Sequence, residues 1–281
     1  MEKLTRVNFT NLDKILYPDT NVTKKDVIEY YIRAAPHMLP FLRDRTTITT
    51  RYPDGINYEG FYSKDAPQGT PDWIHTHTIY SESTQRNLDY IVCNNLDTLI
   101  WLGNMASLEI HIPPSKIEAN PDIMLFDIDP EPPAGFKEAV KVANALNELL
   151  ESIGLTTYVK TTGKKGLHIL LPLEPIYTYQ QTREFVHQIG RHLSHEMENV
   201  VSEKNQSQIP GTVYLDYLQN SSGRTMVCPY SLRAEPEATV SAPLNWDELE
   251  NITPKDLNIF SVLNRSDPWK DFWKNKQRLE V

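Results

Sequence analysis

The sequence predicts an α/β (α+β) fold in which helices flank a mixed or antiparallel sheet core. Two observations support this prediction: short β-like runs alternate with segments of helical periodicity, and turns rich in Pro, Gly and Asn separate them. No Gly/Ser linker or internal repeat interrupts the chain. We therefore expect residues 1–281 to form one domain with two intimate lobes, roughly 1–120 and 121–281.

The individual elements follow from capping signals and periodicity. Thr23 and Asp26 form a capping box ahead of a helix over 23–34, which we expect Pro36 to end. The other predicted elements are strands over 46–52, 88–93, 123–126, 157–161, 167–173 and 212–218, and helices over 96–105, 136–152, 179–198 and from Ser266 onward.

Composition limits the possible functions. The 28 Lys and Arg against 37 Asp and Glu give a net charge of −9, so any contact with DNA must depend on small basic patches. The N-terminus lacks the apolar core of a signal peptide and no run reaches the ~20 apolar residues that span a bilayer, which favours a cytoplasmic protein without membrane contact. Cys93 and Cys228 lie in apolar stretches and are expected to be core thiols.

Three acidic residues occupy strand-like segments. Asp127 and Asp129 follow an apolar run, and residues two apart on a strand point to the same face about 6–7 Å from each other. Like charges so placed favour Mg²⁺ or Mn²⁺, although such a pair before Pro130 can also simply open a turn. Asp216, a lone carboxylate in the apolar run 213–218, supplies a third ligand, and three carboxylates can bridge two metal ions.

Two further segments carry groups that bind phosphate. The glycine-bounded turn over 160–168 brings together a hydroxyl, ammonium groups and an imidazole; it is not a Walker A loop, and an ordinary Lys-Gly hairpin is also compatible. Polar residues stud the segment 214–233, where an Arg can hold phosphate oxygens bidentately or form a surface ion pair. These polar residues are Gln219, Asn220, Arg224, Ser231 and Arg233.

Lysines begin the helix over 23–34. Lys24 and Lys25 lie in its first turn, where the helix dipole repels cations, and Lys14 precedes them. A bound anion explains this placement, and solvated surface charges are the alternative.

Aromatic and imidazole pairs complete the candidates. Phe61 and Tyr62 either stack on bases or fill the core. His75 and His77 lack a third ligand, so we interpret them as structural or surface residues rather than a zinc site.

With these residues in place, the chain resembles the polymerase domain of bacterial ATP-dependent DNA ligase D, a member of the archaeo-eukaryotic primase superfamily. The resemblance runs from Asn11 to Leu249 and consists of ordered blocks. The blocks are Leu12-Asp13-Lys14, Thr23-Lys24 before Tyr30-Tyr31, Arg51-Tyr52-Pro53-Asp54-Gly55, Glu109 and His111, Phe126-Asp127-Ile128-Asp129-Pro130, Lys165-Gly166-Leu167-His168, Asp216-Tyr217-Leu218-Gln219-Asn220 and Pro229-Tyr230-Ser231-Leu232-Arg233.

The resemblance implies a primase-polymerase fold, a single catalytic domain and a set of residue roles. Asp127, Asp129 and Asp216 are implied as the catalytic metal ligands. The implied nucleotide-binding residues are Thr162, Lys165, His168, Arg233, Ser231, Arg51 and His111. The implied DNA-binding residues are Asn11, Lys14 and Lys24, of which the two lysines grip a 5′-phosphate, with Phe61, which stacks on the template, and Tyr62.

Two positions depart from the family's pattern. The family's Ser in the triphosphate loop is Thr162 here, which keeps the hydroxyl. The family's Arg shortly before the third Asp is Ile209 here, and this change bears on how the DNA end is handled.

The resemblance also implies an activity. It predicts a DNA-directed nucleotidyltransferase that extends primer 3′ ends and fills gaps at double-strand breaks in non-homologous end joining, with Mn²⁺ or Mg²⁺ and a preference for ribonucleotides. Expected partners are gapped or recessed DNA with a 5′-phosphate, nucleoside triphosphates, Ku, and a ligase and phosphoesterase as separate proteins. A replicative primase would not need the 5′-phosphate pocket, and a non-catalytic end-binding scaffold would not need three strand-borne carboxylates.

Overall fold

The computed structural model describes residues 5–82 and 84–279. Residues 1–4, on which the signal-peptide prediction rests in part, and residues 280–281 of the predicted C-terminal helix lie outside the described residues. The chain forms two compact units that alternate along the sequence. The first unit comprises Met1–Pro113, Val227–Ser241 and Leu257–Arg265, and the second comprises Pro114–Met226, Ala242–Asp256 and Ser266–Val281.

The first unit contains an antiparallel sheet and two helices. The sheet has the order β13-β7-β3-β6-β5, with β4 also paired to β3, while β1 and β2 form a separate ribbon. The elements are β1 (Ile15–Tyr17), β2 (Val22–Thr23), α1 (Lys24–Leu42), β3 (Thr46–Arg51), β4 (Phe61–Ser63), β5 (Thr76–Ser81), β6 (Arg86–Val92), α2 (Leu96–Asn104), β7 (Ser107–Ile112) and β13 (Met226–Val227), at which the chain re-enters the unit.

Helix α1 begins where the sequence predicts and ends later. The Thr23 side chain accepts a hydrogen bond from the Asp26 N–H, and the Asp26 carboxylate accepts one from the Thr23 N–H, which confirms the capping box. The prediction that Pro36 ends the helix is wrong, because α1 contains Pro36 and continues to Leu42. Its buried stripe continues past the proline and α1 packs on α2, so tertiary burial outweighs the lost backbone hydrogen bond.

The second unit is a six-stranded sheet with the order β11-β12-β8-β10-β9-β14. Helix α3 packs on β8, β10 and β12, and α4 packs on β8, β11 and the turn after β12. The elements are β8 (Ile123–Pro130), α3 (Phe136–Ser152), β9 (Tyr158–Thr161), β10 (Leu167–Pro172), α4 (Tyr179–Glu196), β11 (Val200–Val201), β12 (Val213–Leu215) and β14 (Pro243–Leu244). Helices on a largely antiparallel sheet confirm the predicted mixed fold class.

Two predicted elements of this unit differ from the structure. The strand predicted over 212–218 ends at Leu215, because Asp216 caps a 3-10 turn over Tyr217–Asn220. The segment from Ser266 has no α-helix within its described residues and holds only a 3-10 turn at Phe272–Lys274. Its rings pack on the sheet instead, with the Phe272 centroid 4.9 Å from that of Tyr158.

Both cysteine thiols are buried, as predicted. Among the described residues, no helix is long and apolar enough to cross a membrane.

Candidate active site and DNA-binding residues

Strands β12, β8 and β10 place polar residues side by side in the second unit. Leu215 pairs with Ile128 in antiparallel register, and the next backbone contact runs from the Asp216 N–H to the Asp127 carbonyl oxygen at 3.0 Å. His168 lies opposite Asp127 on the other side. Since directly opposed residues share a face of a sheet, Asp216, Asp127 and His168 form a row, with Asp129 on the same face. The structure therefore places Asp127, Asp129 and Asp216 on one face of the sheet, and their joint binding of metal ions stays a prediction.

The side chains of this row contact cationic or imidazole groups. His168 Nε2 lies 3.3 Å from Asp127 Oδ1, and Lys165 Nζ lies 3.2 Å from Asp129 Oδ1 and 4.0 Å from Glu131 Oε2. Partial burial, followed by the charge of Asp127, raises the pKa of Asp129, while Lys165 opposes that rise. Asp129 is therefore harder to ionise than a free carboxyl group, and a cation beside it favours its charged form.

Asp216 is held by its own turn. Its Oδ1 accepts hydrogen bonds from the Tyr214 hydroxyl and the Leu218 N–H, both at 3.0 Å, and its Oδ2 accepts one from Gln219 Nε2 at 3.2 Å. Burial and then the Asp216 charge raise the pKa of Tyr214, so its hydroxyl remains a donor. Gln219, which the sequence placed near the site without a role, thus orients the third carboxylate.

Asn220 is a buried residue whose role the sequence did not reveal. Its amide nitrogen donates to the Leu125 carbonyl oxygen at 2.7 Å, and its amide oxygen accepts from the Leu125 N–H at 3.0 Å. The side chain thereby continues the strand ladder along β8 beyond the end of β12. The signal available in the sequence was a polar amide four residues after Asp216 in an apolar segment.

The turn between β9 and β10 is shaped by Thr162 and two glycines. The Thr162 hydroxyl donates to the Gly166 carbonyl oxygen at 3.1 Å and accepts from the N–H groups of Lys164 and Gly166, each at 3.3 Å. Gly163 has a φ of +75°, and a Cβ on Gly166 would lie 2.6 Å from the Ile128 carbonyl oxygen. The turn consequently lies directly against β8, next to the aspartates.

The chemistry of the three carboxylates fits a hard divalent cation. An all-oxygen donor set with a disfavoured concentration of negative charge is the combination that Mg²⁺ and Mn²⁺ neutralise. As they stand, no group of three or more His, Cys, Asp or Glu side chains within residues 5–82 and 84–279 is arranged to hold a metal ion. Each of the three carboxylates has a protein partner instead: Asp127 contacts His168, Asp129 contacts Lys165, and Asp216 accepts hydrogen bonds from its own turn.

A second cluster, in the first unit, contains the predicted phosphate-binding lysines. The Lys24 side chain is 6% exposed and donates to the Thr10 carbonyl oxygen at 3.0 Å. Burial, then Lys14 and Arg51, lower the pKa of Lys24. Lys14 Nζ lies 2.6 Å from Asp54, and Asn11 accepts the Lys14 N–H at 3.1 Å through its backbone oxygen. Asn11, Lys14 and Lys24 therefore belong to one local structure.

The N-terminus of α1 has few backbone donors to offer an anion. The N–H groups of Lys24 and Lys25 donate to the carbonyl oxygens of Lys14 and Leu12, at 2.8 and 2.9 Å. Lys25 itself faces Glu29 at 3.9 Å. These two N–H groups are therefore already used within the protein, and the predicted phosphate site depends on the ammonium groups of Lys24 and Lys14.

The predicted aromatic residues lie on β4, beside this cluster. Phe61 and Tyr62 remain 45% and 52% exposed, which is high for such side chains. The Arg51 guanidinium lies 4.9 Å from the Phe61 ring centroid and donates through Nε to the Met105 carbonyl oxygen at 3.1 Å. In the described parts of the chain no carboxylate forms an ion pair with Arg51, so the surface formed by Arg51 and Phe61 is positively charged.

Glu109 on β7 joins two of the predicted nucleotide-binding residues. Its Oε1 accepts from Arg233 Nε at 3.0 Å and from the Ala234 N–H at 3.2 Å, and its Oε2 lies 3.7 Å from His111 Nε2. Ser231 is fully buried, and its hydroxyl accepts the Ile110 N–H at 2.8 Å. The structure gives Ser231 a role in supporting the segment that carries Arg233, and its contact with nucleotide stays a prediction.

The remaining candidates lie at the surface. Arg224 and Ile209 are exposed, as is His75, whereas His77 is half-buried on β5. Within the described part of the chain, the contacts of Asp127, Asp129 and Asp216 involve none of these residues.

Comparison with known proteins identifies the family. The sequence model described as "LigD, primase-polymerase domain" matches residues 23–273. The chain is 37% identical over 280 residues to the bifunctional non-homologous end joining protein LigD of Bacillus subtilis, covering 97% of this chain and 45% of that protein. It is 32% identical to the multifunctional non-homologous end joining protein LigD of Mycolicibacterium smegmatis, and the match covers 96% of this chain and 36% of that protein.

A solved structure is similar over nearly the whole chain. The polymerase domain from Mycobacterium tuberculosis Ligase D in complex with DNA has a TM-score of 0.89 and 31% sequence identity, and the match covers 97% of this chain and 100% of that one. The chain spans less than half the length of the two LigD proteins named above. By the family match over residues 23–273, this chain belongs to the LigD primase-polymerase domain family.

Proposed function

We propose that this chain is a DNA-directed nucleotidyltransferase that extends primer 3′ ends and fills gaps at double-strand breaks, with ribonucleotides preferred. The observation that carries the proposal is the row of Asp216, Asp127 and His168 across three strands, with Asp129 on the same face. A scaffold that only bound DNA ends would gain nothing from this costly concentration of carboxylates.

Asp127, Asp129 and Asp216 would hold a pair of divalent metal ions, Mn²⁺ or Mg²⁺. When bound, the ions would neutralise charge on the triphosphate and lower the pKa of the primer's 3′-hydroxyl. The protein's own contribution is to place the carboxylates. The backbone hydrogen bond from Asp216 to Asp127 and the side-chain hydrogen bonds between Asn220 and Leu125 fix the third carboxylate relative to the first.

The residues around the row would bind the incoming nucleotide. Lys165 and His168 already contact the aspartates, and both can instead donate to phosphate oxygens. Thr162 keeps the turn that carries Lys165 in its shape. In the first unit, Arg233, His111, Arg51 and Ser231 are the proposed contributors to nucleotide binding.

DNA with a 5′-phosphate is the proposed partner of the first unit. Lys24 is buried and positively charged beside Lys14, so a phosphate monoester would relieve the repulsion between them. Asn11 lies on the same turn, and Phe61 and Tyr62 offer exposed rings on which template bases can stack. The solved relative carries DNA, which supports this proposal. Ku, a ligase and a phosphoesterase are proposed partners by family resemblance.

The test is primer extension on a duplex with a short gap and a 5′-phosphate. Reactions compare ribonucleotides with deoxyribonucleotides and Mn²⁺ with Mg²⁺, and Asp127→Asn serves as the inactive control. We expect templated addition that stops at the gap end, with faster ribonucleotide incorporation in Mn²⁺. Efficient synthesis on a template without a primer would favour the replicative primase alternative, and absence of extension under all conditions would refute the proposal.

A further inference from the structure

The carboxylate of Glu109 is buried and interacts with several groups in the first unit. It is 6% exposed and accepts hydrogen bonds from a guanidinium and a backbone N–H that are neighbours in sequence, Arg233 and Ala234. A carboxylate is retained in such a place only when its partners compensate for its desolvation. A leucine or methionine of similar volume would fill the same space without that cost, so the charge calls for an explanation.

We propose that Glu109 is a positioning residue for nucleotide binding, which acts by fixing the Arg233 guanidinium and the His111 imidazole in one arrangement. This inference rests on the proposed function, because it assigns the two residues to the triphosphate. The nucleotide would be a nucleoside triphosphate, whose phosphate oxygens match a planar guanidinium.

The geometry explains how Glu109 would act. The contact to Arg233 engages Nε, at 3.0 Å, and a guanidinium fixed at Nε presents its terminal nitrogens in a defined plane. The second carboxylate oxygen faces His111 Nε2 at 3.7 Å. One side chain therefore sets the direction of a cation and of an imidazole at once.

The backbone beneath Arg233 is fixed independently. The buried Tyr17 hydroxyl donates to the Arg233 carbonyl oxygen at 2.9 Å, and the Arg233 N–H donates to the Thr239 carbonyl oxygen at 2.8 Å. Loss of the Glu109 charge would consequently release the guanidinium more than the main chain. This distinction separates positioning from a general effect on the fold.

The test uses Glu109→Gln, which keeps the side-chain shape and removes the charge. Asp65→Asn is the matched control, because Asp65 also accepts from an arginine, Arg86, and from a backbone N–H, that of Asp89. Steady-state extension on saturating gapped DNA gives KM for the nucleotide and kcat, and anisotropy gives the DNA affinity. We expect Glu109→Gln to raise KM about 10-fold or more while kcat changes less than about 3-fold and DNA affinity is unchanged.

A double-mutant cycle with Arg233→Lys keeps the inference testable if Glu109→Gln is poorly folded. Lysine retains the charge and lacks the guanidinium Nε, so the second substitution should add little to the first. Fully additive effects on KM, or an unchanged KM in Glu109→Gln, would overturn the positioning role. If KM and thermal stability change in Glu109→Gln only as they do in Asp65→Asn, the role is structural and the inference also fails.

The outcomes distinguish this inference from the proposed function. If the wild-type protein extends primers and Glu109→Gln has the same KM for the nucleotide, the positioning role alone is overturned. A wild-type protein that neither extends primers nor binds a fluorescent nucleoside triphosphate overturns both.

Discussion

The Asp216 N–H donates a 3.0 Å hydrogen bond to the carbonyl oxygen of Asp127, so two catalytic candidates that are far apart in sequence are joined through their main chains. This contact sets their separation whatever their side chains bind. It also means that substituting either side chain should leave the register of β8 and β12 in place.

Asp216→Ala and Asp129→Asn should both abolish extension but differ in their effect on stability. Asp216 caps the turn after β12 and accepts the hydroxyl of Tyr214, so its removal should cost about 1–2 kcal/mol of unfolding free energy. Asp129→Asn relieves the repulsion that, with burial, raises the pKa of Asp129, so unfolding free energy should not fall. Urea unfolding and gap-filling assays measure both effects. Near-normal extension by either variant would contradict the metal-ligand assignment.

Lys14→Ala and Lys24→Ala should weaken binding to 5′-phosphorylated gapped DNA by roughly 10-fold or more at low salt, because each loses a charge-assisted hydrogen bond. The same variants should have little effect on DNA with a 5′-hydroxyl. Lys25→Ala is the control, since Lys25 faces Glu29. Anisotropy titrations of each protein with each DNA provide the comparison. Equal loss of affinity for DNA with a 5′-phosphate and for DNA with a 5′-hydroxyl would show that these lysines contact only the phosphate backbone of the DNA.

The lowered pKa of Lys24 predicts opposite pH trends for binding and for stability. The phosphate-dependent part of DNA affinity needs the ammonium form, so it should fall as pH rises, before the ordinary lysine pKa of 10.5 is reached. Unfolding free energy should rise over that same interval, because the unfolded chain binds more protons there. Lys24→Arg, which stays charged, should lack both trends. A wild-type affinity independent of pH up to 10.5 would exclude Lys24 from the phosphate site.

Gly166→Ala should disrupt the turn that carries Lys165. The added Cβ would lie 2.6 Å from the Ile128 carbonyl oxygen, and because that atom belongs to the backbone it cannot move aside easily, so a cost of about 1–3 kcal/mol is expected. KM for nucleotide should rise as Lys165 moves. Gly135→Ala is the control, because its nearest neighbour would be a Glu138 side-chain oxygen at 3.9 Å. Equal stability of the two variants, measured by thermal unfolding, would show that the close approach is not rigid.

The sequence predicted much of the local structure because local signals were strong. The capping box at Thr23 and the periodicity over 136–152 located α1 and α3. Failures occurred where tertiary contacts outweighed local rules, as in the continuation of α1 through Pro36. The helix predicted after Ser266 is wrong for the same reason, since an aromatic side chain of this segment packs on β9.

The candidate site was predictable only in part. The pair Asp127 and Asp129 after an apolar run, and the lone Asp216 in another, suggested the site because charge at such positions is costly. The roles of Glu109 and Asn220 depend on partners more than 90 residues away in sequence, Arg233 and Leu125, with separations of 124 and 95. Periodicity carries no information on such pairings.

Each of the two units is built from three separate segments of the sequence, which affects how this protein can be synthesised and divided. During synthesis, the first unit lacks one of its segments until Leu257–Arg265 has left the ribosome, although most of the second unit has been translated by then. A truncation at residue 226 would leave each unit without two of its segments. Protease cleavage at one exposed loop would nick the protein without separating its halves, and gene recombination would have to transfer both units together.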